Sequence, residues 1–251
     1  MENQLFNYII QHADNCLILS HRLSEWCGHG PVLEQDIAMT NISLDLLGQA
    51  RMLYDYAAKV QGEGKTEDDL AYLRDAWDFK NVQLVEMPNG DFGQTIMRQF
   101  LFDTFNVTFY RELMEVSNDA ELIAIADKSL KEAQYHLKWS SEWMLRLGQG
   151  TEESHTRLQN AANLLMPYAN EVVIPSEADK VAAETGYGVD LNNVKAERDQ
   201  LIKEVITECE LDASLDGFSH TGGKTGTHTE HLGYVLAEMQ FLQRAYPGLE
   251  W

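Results

Sequence analysis

Basic residues are scarce in this chain of 251 residues. Nineteen lysines and arginines stand against 40 aspartates and glutamates, which gives a formal net charge of −21. A surface this acidic repels phosphate groups, so nucleic acid and anionic membranes are poor partners. A basic protein partner fits the charge, and an acidic surface that serves solubility alone explains it equally well.

Long apolar runs and paired cysteines are also missing. No run reaches the roughly 18 apolar residues of a membrane-spanning helix. The first residues contain no basic segment followed by a small-residue cleavage site, so no secretory signal is predicted. Cys16, Cys27 and Cys209 are an odd number in unrelated contexts, as expected of reduced thiols rather than a disulfide framework. These absences predict a cytoplasmic protein.

Proline and strand-like alternation are scarce as well, and what remains is helical. Apolar residues recur at three- and four-residue spacing in the long stretches between the five prolines, which is typical of helices. We expect long helices over about 3–27, 32–61, 91–116 and 119–147. Shorter helices are expected after Thr66, whose side chain forms a capping pair with Asp69, and near 152–168, 192–209 and 228–245. Helices of these lengths predict an all-α, four-helix bundle, with further C-terminal helices, in one domain over residues 1–251.

Several polar residues fall among apolar ones on the long helices. Asp103 lies inside the apolar stripe of the third long helix, and His136 shares a face of the fourth with Ala133. The second helix is apolar almost all round, which predicts a central position, yet it carries Asp45 and Gln49 on one line. An unpaired carboxylate in such a core is costly, so these side chains need partners.

Three interpretations of these polar residues compete. A di-iron centre in a bundle requires about four carboxylates and two histidines directed inward, which is more than the helices supply. A satisfied polar network of Asp45, Asp103, Glu132 and His136 is the interpretation we favour. In the third, Asp45 and Arg51 face outward and act at the surface.

A glycine-rich segment before the last helix is the most unusual local feature. It does not match a P-loop, because the spacing to the first glycine is wrong and no strand precedes it. An anion could still be held by backbone amides and the lysine among Gly222, Gly223, Lys224 and Gly226. The alternative is a capped helix start. His228 and His231 could together hold an adventitious zinc, although no third ligand is evident.

Several separate segments resemble, in the same order, the C-subunit family of the bacterial phenylacetyl-CoA 1,2-epoxidase, the ring-oxygenase complex of phenylacetic acid degradation. The resemblance extends from the first helix to the C-terminal tryptophan. The segments are EWCGHGPVLEQDIAMTNISLDLLGQAR (25–51), VEMPNGDF (85–92), KEAQYHLKWSSEW (131–143), GGKTGTHTEHLG (222–233) and LAEMQFLQR (236–244).

The resemblance implies a ferritin-like fold and a place in a monooxygenase complex. In that complex the di-iron centre belongs to a catalytic subunit, a small subunit bridges the assembly, and a reductase supplies electrons. Compared with the catalytic subunit, this chain departs at several metal-ligand positions. Cys16 replaces one glutamate, Leu46 and Gln49 replace a Glu–His pair, Ala133 replaces another glutamate, and Asp103 and His136 are retained. The resemblance therefore implies a non-catalytic structural subunit with no cofactor of its own.

The leading hypothesis is a scaffold that docks the catalytic subunit in a homo- or hetero-oligomer, with Trp26 and His29 in the contact. One rival is a self-sufficient di-iron oxygenase that uses the polar residues of the bundle. A second rival is a module that binds coenzyme A through Lys224 and its neighbouring glycines. The acidic charge of the chain disfavours that second rival, because coenzyme A is an anion.

Overall fold

The computed structural model describes residues 3–249, and every regular element in that range is helical. The predicted all-α class is confirmed. The helices are α1 Gln4–Ser24, α2 Leu33–Gln61, α3 Glu67–Tyr72, α4 Phe92–Val116, α5 Ala120–Gly148, α6 Glu152–Ala169, α7 Glu177–Thr185, α8 Leu191–Glu208, α9 Glu230–Met239 and α10 Phe241–Ala245. Short 3₁₀ turns occur at Ala76–Asp78, Gln83–Glu86, Glu171–Val173 and Gly223–Thr225. None of the described helices combines the length and the apolar character that crossing a bilayer would require.

The chain divides into two compact units. Unit 1 contains residues 1–86 and 221–251, and unit 2 contains residues 87–220. Unit 1 is therefore discontinuous in sequence, since its last segment follows the whole of unit 2. The prediction of one domain over residues 1–251 stays a prediction, because compactness does not establish which parts fold independently.

Unit 1 is built on α1 and α2, which pack antiparallel. The amide of Asn3 donates to the Val60 carbonyl at 3.3 Å at one end of the pair. Near the other end the hydroxyls of Ser20 and Ser43 lie 3.2 Å apart. The expected central position of α2 is wrong, because one stripe of this helix faces solvent, with Leu33 72% exposed. The apolar pattern of α2 therefore overstated its burial.

Unit 1 buries a carboxylate that joins three of its segments. Asp14 on α1 accepts hydrogen bonds from the Tyr54 hydroxyl at 2.5 Å and from the backbone amide of Lys80 at 2.7 Å. Its third partner is the guanidinium of Arg74, which also covers the Phe79 ring at 4.1 Å. Burial, followed by the charge of Asp14, raises the pKa of Tyr54 well above its ordinary value. The phenol therefore remains a donor to the carboxylate.

The C-terminal segment is attached to the rest of unit 1 through Glu86. The two carboxylate oxygens accept from the Asn81 amide at 2.9 Å and from the Thr229 backbone amide and hydroxyl at 2.8 and 2.6 Å. The His228 ring faces the same carboxylate through Nδ1 at 2.5 Å, and its Nε2 faces the Phe79 carbonyl at 2.9 Å. Because a carbonyl oxygen can only accept, Nε2 of His228 carries a proton.

Unit 2 is built on α4 and α5, again antiparallel. The rings of Phe92 and Trp143 meet edge to face at a centroid distance of 5.0 Å. Helices α6 and α8 lie against α4. The side chain of Arg198 on α8 is fully buried and donates to the Ala169 carbonyl at 2.5 Å and to the Asn170 side chain at 3.2 Å. These contacts fix α8 to the end of α6.

Local signals explain several helix ends, and the helices differ from the prediction in two places. Thr66 and Asp69 form the expected capping box of α3. Helix α7 was not predicted, although Ser176 and Asp179 form the same kind of capping box at its start. The last predicted helix is two helices, broken at Gln240, whose side chain donates to the Ala71 carbonyl at 3.3 Å and the Arg74 carbonyl at 3.0 Å. Tertiary contact therefore sets that break.

Candidate functional site

Asp103 is the central polar residue of unit 2, and its side chain is completely buried between α4 and α5. One carboxylate oxygen accepts from the Gln99 amide at 2.7 Å, and the other accepts from the Ser140 hydroxyl at 2.8 Å. Gln99 lies one helical turn before Asp103, so the two side chains share a face of α4. Each carboxylate oxygen therefore has a neutral donor from the protein itself.

The environment of Asp103 favours its protonated form. Burial raises its pKa from 3.8 to about 7, and the charge of His136 and the hydrogen bonds from Ser140 and Gln99 lower it only in part. Desolvation disfavours a charged carboxylate, and neutral donors compensate incompletely. Asp103 therefore keeps its proton to a higher pH than an ordinary aspartate does.

The other predicted positions of unit 2 lie on α5. Ala133 and His136 are both completely buried, as their shared helical face predicted. The Glu132 side chain is only half-buried. The buried polar group of this unit thus contains Asp103 and His136, together with Gln99 and Ser140, which were missing from the predicted network. The four-residue steps from Gln99 to Asp103 and from His136 to Ser140 were the sequence signals that could have found them.

In unit 1, uncharged residues stand at the positions where the resemblance to the catalytic subunit would place metal ligands. Cys16 on α1 and Gln49 on α2 are buried, and the thiol lies 3.7 Å from the Gln49 amide oxygen. Leu46 is completely buried one turn away from Gln49. Asp45 is half-buried on the adjacent side of α2. The side chains at Cys16, Leu46 and Gln49 therefore offer a thiol, a hydrocarbon and a neutral amide, and no carboxylate.

The glycine-rich segment packs backbone against backbone on the Trp77–Gln83 segment of unit 1. A methyl group added at Gly223 would lie 2.2 Å from the Asn81 carbonyl oxygen, and one at Gly226 would lie 2.4 Å from that of Trp77. Gly226 also has φ of +87°, a backbone conformation that other residues rarely adopt. Close packing thus accounts for these two glycines, and an anion site with Gly222 and Lys224 stays a prediction.

The two histidines beside this loop have different surroundings. Both ring nitrogens of His228 are engaged, by Glu86 and by the Phe79 carbonyl. Burial lowers the pKa of His228, but the hydrogen bond and charge of Glu86 outweigh it and leave that pKa raised. His231 is half-buried at the start of α9. A metal at this pair would have to displace the contacts of His228, and the predicted capped helix start is present, with the Thr229 hydroxyl accepting from the His231 amide at 3.3 Å.

The predicted partner contact lies in the turn between α1 and α2. Trp26 is half-buried, and His29 is exposed, with its Nδ1 3.1 Å from the Cys27 carbonyl oxygen. Asp36 accepts from the Gly30 amide at 2.9 Å. The turn is thus held by its own contacts while the His29 ring remains accessible.

Comparison with known proteins shows to which family this chain belongs. The family model described as phenylacetic acid catabolic protein matches residues 1–251. This chain belongs to that family. A curated relative, the C-subunit of 1,2-phenylacetyl-CoA epoxidase from Escherichia coli (strain K12), is 48% identical over 249 residues, which cover 99% of this chain and 100% of that protein.

A solved structure shows the fold. Protein 19 with aldehyde deformylating oxidase activity from Synechococcus superposes with a TM-score of 0.58, covering 85% of this chain and 95% of that one. The two sequences are 13% identical, so the likeness concerns architecture and not activity. The predicted ferritin-like class is confirmed.

The residues of this family member do not fit a di-iron centre. Leu46 and Ala133 offer only hydrocarbon, and Gln49 offers a neutral amide in contact with Cys16. The Asp103 carboxylate already accepts from two protein donors. Within residues 3–249, no group of three or more histidine, cysteine, aspartate and glutamate side chains is arranged to hold a metal ion.

Proposed function

We propose that this chain is a non-catalytic structural subunit of a phenylacetyl-CoA 1,2-epoxidase. In this role it pairs with the catalytic di-iron subunit and the small bridging subunit in the cytoplasm and carries no metal of its own. The support is its family and the 48% identity with the C-subunit of the Escherichia coli enzyme. The observation that carries the non-catalytic role is that buried side chains without a carboxylate stand at Cys16, Leu46 and Gln49 in unit 1 and at Ala133 in unit 2.

An uncharged interior favours a subunit that folds without metal. Inward carboxylates are stable in a helical bundle when a cation neutralises them, and without the cation they are costly. Leu46 and Ala133 remove that cost by placing buried hydrocarbon at two such positions. The remaining acid, Asp103, has two protein donors and a pKa near 7. The helix pairs are therefore stable as scaffolds in the apo state.

The turn between α1 and α2 supplies the contact to the catalytic subunit in this proposal. His29 is exposed, and the first turns of α2 present Leu33 and Ile37 to solvent, 72% and 51% exposed. Exposed apolar side chains next to a structured turn are typical of interfaces. In this proposal the partner covers Leu33 and Ile37. Among the described residues, no other part of unit 1 covers these two side chains.

The experiment combines metal content with partner binding. The purified chain is loaded with ferrous iron under anaerobic conditions, desalted and analysed for iron, and its affinity for the catalytic subunit is measured separately. We expect iron near zero and a stable heteromer. About two irons per chain, with turnover of phenylacetyl-CoA in the absence of the partner, would instead establish the self-sufficient oxygenase.

Variants then locate the contact. Replacing Trp26 and His29 together by alanine should weaken heteromer formation about tenfold, the usual effect of losing one buried interface anchor. Leu164→Ala is the matched control, because Leu164 is 43% exposed on α6 of unit 2. Equal affinity of a folded double variant and the control would remove the turn from the interface.

A further inference from the structure

One surface of unit 1 exposes large apolar side chains from two short segments, 73–77 and 234–249. Trp77 is 72% exposed, Tyr234 68% and Phe241 61%. The α9–α10 surface, as we name it, consists of these three residues with Leu73, Leu242, Tyr246 and Leu249, all of which are exposed. Single exposed apolar residues are ordinary, but a concentration of them indicates an interaction site.

The α9–α10 surface contains a groove of about 530 Å³. Gly233 and Ala237, one helical turn apart on α9, lie along it, and Ala76 and Phe241 border it. A methyl group placed at Gly233 would meet no atom within 4 Å, so the space above this glycine is open. Small residues one turn apart create a depression on a helix that receives the side-chain ridge of another helix.

The groove is preformed because α10 is fixed to the end of α3. Arg244 donates to the Asp75 carboxylate at 3.0 Å and to the Leu73 carbonyl at 3.2 Å. Gln240 donates to the Arg74 carbonyl at 3.0 Å. A surface that is ordered before binding loses little conformational entropy when a partner docks.

The two segments that carry the α9–α10 surface contain more acidic than basic residues. Segments 63–78 and 230–249 contain eight acidic residues and three basic ones. The three cations are Lys65, Arg74 and Arg244, and each forms an ion pair, with Glu63, Asp14 and Asp75 respectively. Asp68 and Glu238 are exposed in the same two segments. Asp68 lines a second depression of unit 1 together with Leu73, Tyr246 and Leu249, whereas Asp75, which lines the groove itself, is paired with Arg244. The negative charge available for a partner therefore lies on the α9–α10 surface outside the groove.

The combination of exposed aromatic rings and an excess of carboxylates selects cationic side chains. Arginine and lysine pair with carboxylates and also stack on aromatic faces such as those of Trp77 and Phe241. A second copy of this chain fits poorly, because its net charge of −21 would repel the same acidic surface. We propose that the α9–α10 surface docks an amphipathic helix of a partner protein, with an apolar ridge in the groove and arginines or lysines on either side. This inference goes beyond the proposed function in two respects. The α9–α10 surface does not include the turn between α1 and α2, and the helix that docks there need not belong to the catalytic subunit.

A designed peptide tests the proposal directly. The probe is a fluorescein-labelled helix with leucines along one face and arginines beside them, and the reference probe has the same composition in scrambled order. Fluorescence anisotropy with the full-length chain, at about 0.15 M salt to screen non-specific attraction, reports both affinities. We expect the amphipathic peptide to bind at least about tenfold more tightly than the scrambled one.

Two glycine variants provide the matched comparison. Gly233→Leu fills the groove, and we expect it to weaken peptide binding about tenfold, as loss of a central interface pocket does. Gly48→Leu on α2 is the control, because Gly48 is also a helical glycine with open space above it. Asp68→Asn should weaken binding about threefold and reduce its salt dependence, and this variant carries the test if Gly233→Leu does not fold.

Three results would overturn the proposal. Equal affinity for the amphipathic and scrambled peptides would show that net charge alone attracts them. Equal peptide binding by folded Gly233→Leu and Gly48→Leu would place the peptide elsewhere. Sedimentation showing a homodimer that Gly233→Leu dissociates would assign the surface to a second copy of this chain.

Discussion

Glu86 in unit 1 and Asp103 in unit 2 are both completely buried acids, but their partners differ. Glu86 faces a histidine whose two ring nitrogens both meet acceptors, and it accepts three further hydrogen bonds. Asp103 has one amide and one hydroxyl as donors, and its pKa is about 7. Two equally buried carboxyl groups therefore have different surroundings, because Glu86 has more hydrogen-bonding neighbours than Asp103 and one of them is a histidine.

The contrast corresponds to different tasks. Glu86 joins segments that are more than 140 residues apart, so its hydrogen bonds help to hold a discontinuous unit together. Asp103 joins neighbouring helices that already pack through apolar side chains. A carboxyl group that joins distant segments needs several partners, whereas an acid between two helices that already pack together needs fewer.

The largest expected effect comes from removing the compensated acid. Glu86→Ala leaves His228, Thr229 and Asn81 without their shared acceptor, and we expect a loss of about 3–5 kcal/mol in the free energy of unfolding. Urea denaturation followed by circular dichroism measures it. Glu63→Ala, at an exposed acid of the same unit, is the control, with an expected change within about 0.5 kcal/mol. A loss below about 1 kcal/mol for Glu86→Ala would mean that its contacts do not close unit 1.

A second prediction introduces a new buried acid on α5, one helical turn before His136. Ala133→Glu places a carboxyl group at a completely buried position of α5, and we expect a loss of about 3 kcal/mol that ferrous iron does not restore. Gln134→Glu is exposed on the same helix and should be nearly neutral. Thermal unfolding with and without iron provides the measurement. If iron restored the stability of Ala133→Glu, that result would contradict the proposal that this subunit holds no metal.

A third prediction uses the pH dependence of Asp103. The folded state binds this proton up to about pH 7, whereas a carboxyl group with the ordinary pKa of 3.8 releases it earlier. Its contribution to stability therefore falls as the pH rises from about 4 to 7. Asp103→Asn cannot ionise, so we expect it to be more stable than the wild type by about 2 kcal/mol above pH 7, the ionisation cost less the weaker hydrogen bonds. Denaturation curves at several pH values test this, and parallel curves for both proteins would refute it.

The smallest effect concerns one donor to Asp103. Ser140→Ala removes a hydrogen bond that favours the ionised carboxylate, so the pKa of Asp103 should rise by about one unit. Ser129→Ala is the matched control, because Ser129 is a buried hydroxyl on the same helix that has no hydrogen-bond partner among residues 3–249. Carboxyl chemical shifts during an NMR titration report the pKa directly. If the pKa of Asp103 were unchanged in Ser140→Ala, the Ser140 hydrogen bond would not influence it, and His136 and Gln99 would remain as the side chains that lower it.

Local sequence patterns predicted much of the fold. The long helices begin within a residue or two of the predicted positions, because caps such as Asp91 and Asp119 precede them and apolar spacing continues through them. Asp103 and His136 were identified as buried from the stripes that contain them. Helix α7 escaped notice because nine residues carry too few apolar repeats to establish a period.

The contacts between distant segments could not be predicted in this way. The exposed stripe of α2 and the break at Gln240 depend on what packs against each helix, which helical spacing does not specify. The partners of Glu86 come from segments far apart in the chain, and no local pattern relates them.

The amino-acid sequence by itself determined an all-helical, acidic protein in which Asp103 and His136 are buried, because periodicity, composition and residue identity are local properties. Only the tertiary structure decided that Asp103 is held by Gln99 and Ser140, that Glu86 closes unit 1 through His228, and that Gly233 opens a groove. Each of these depends on the burial and hydrogen bonding that arise when separate segments meet, and the free energy of such contacts is a property of the packed molecule.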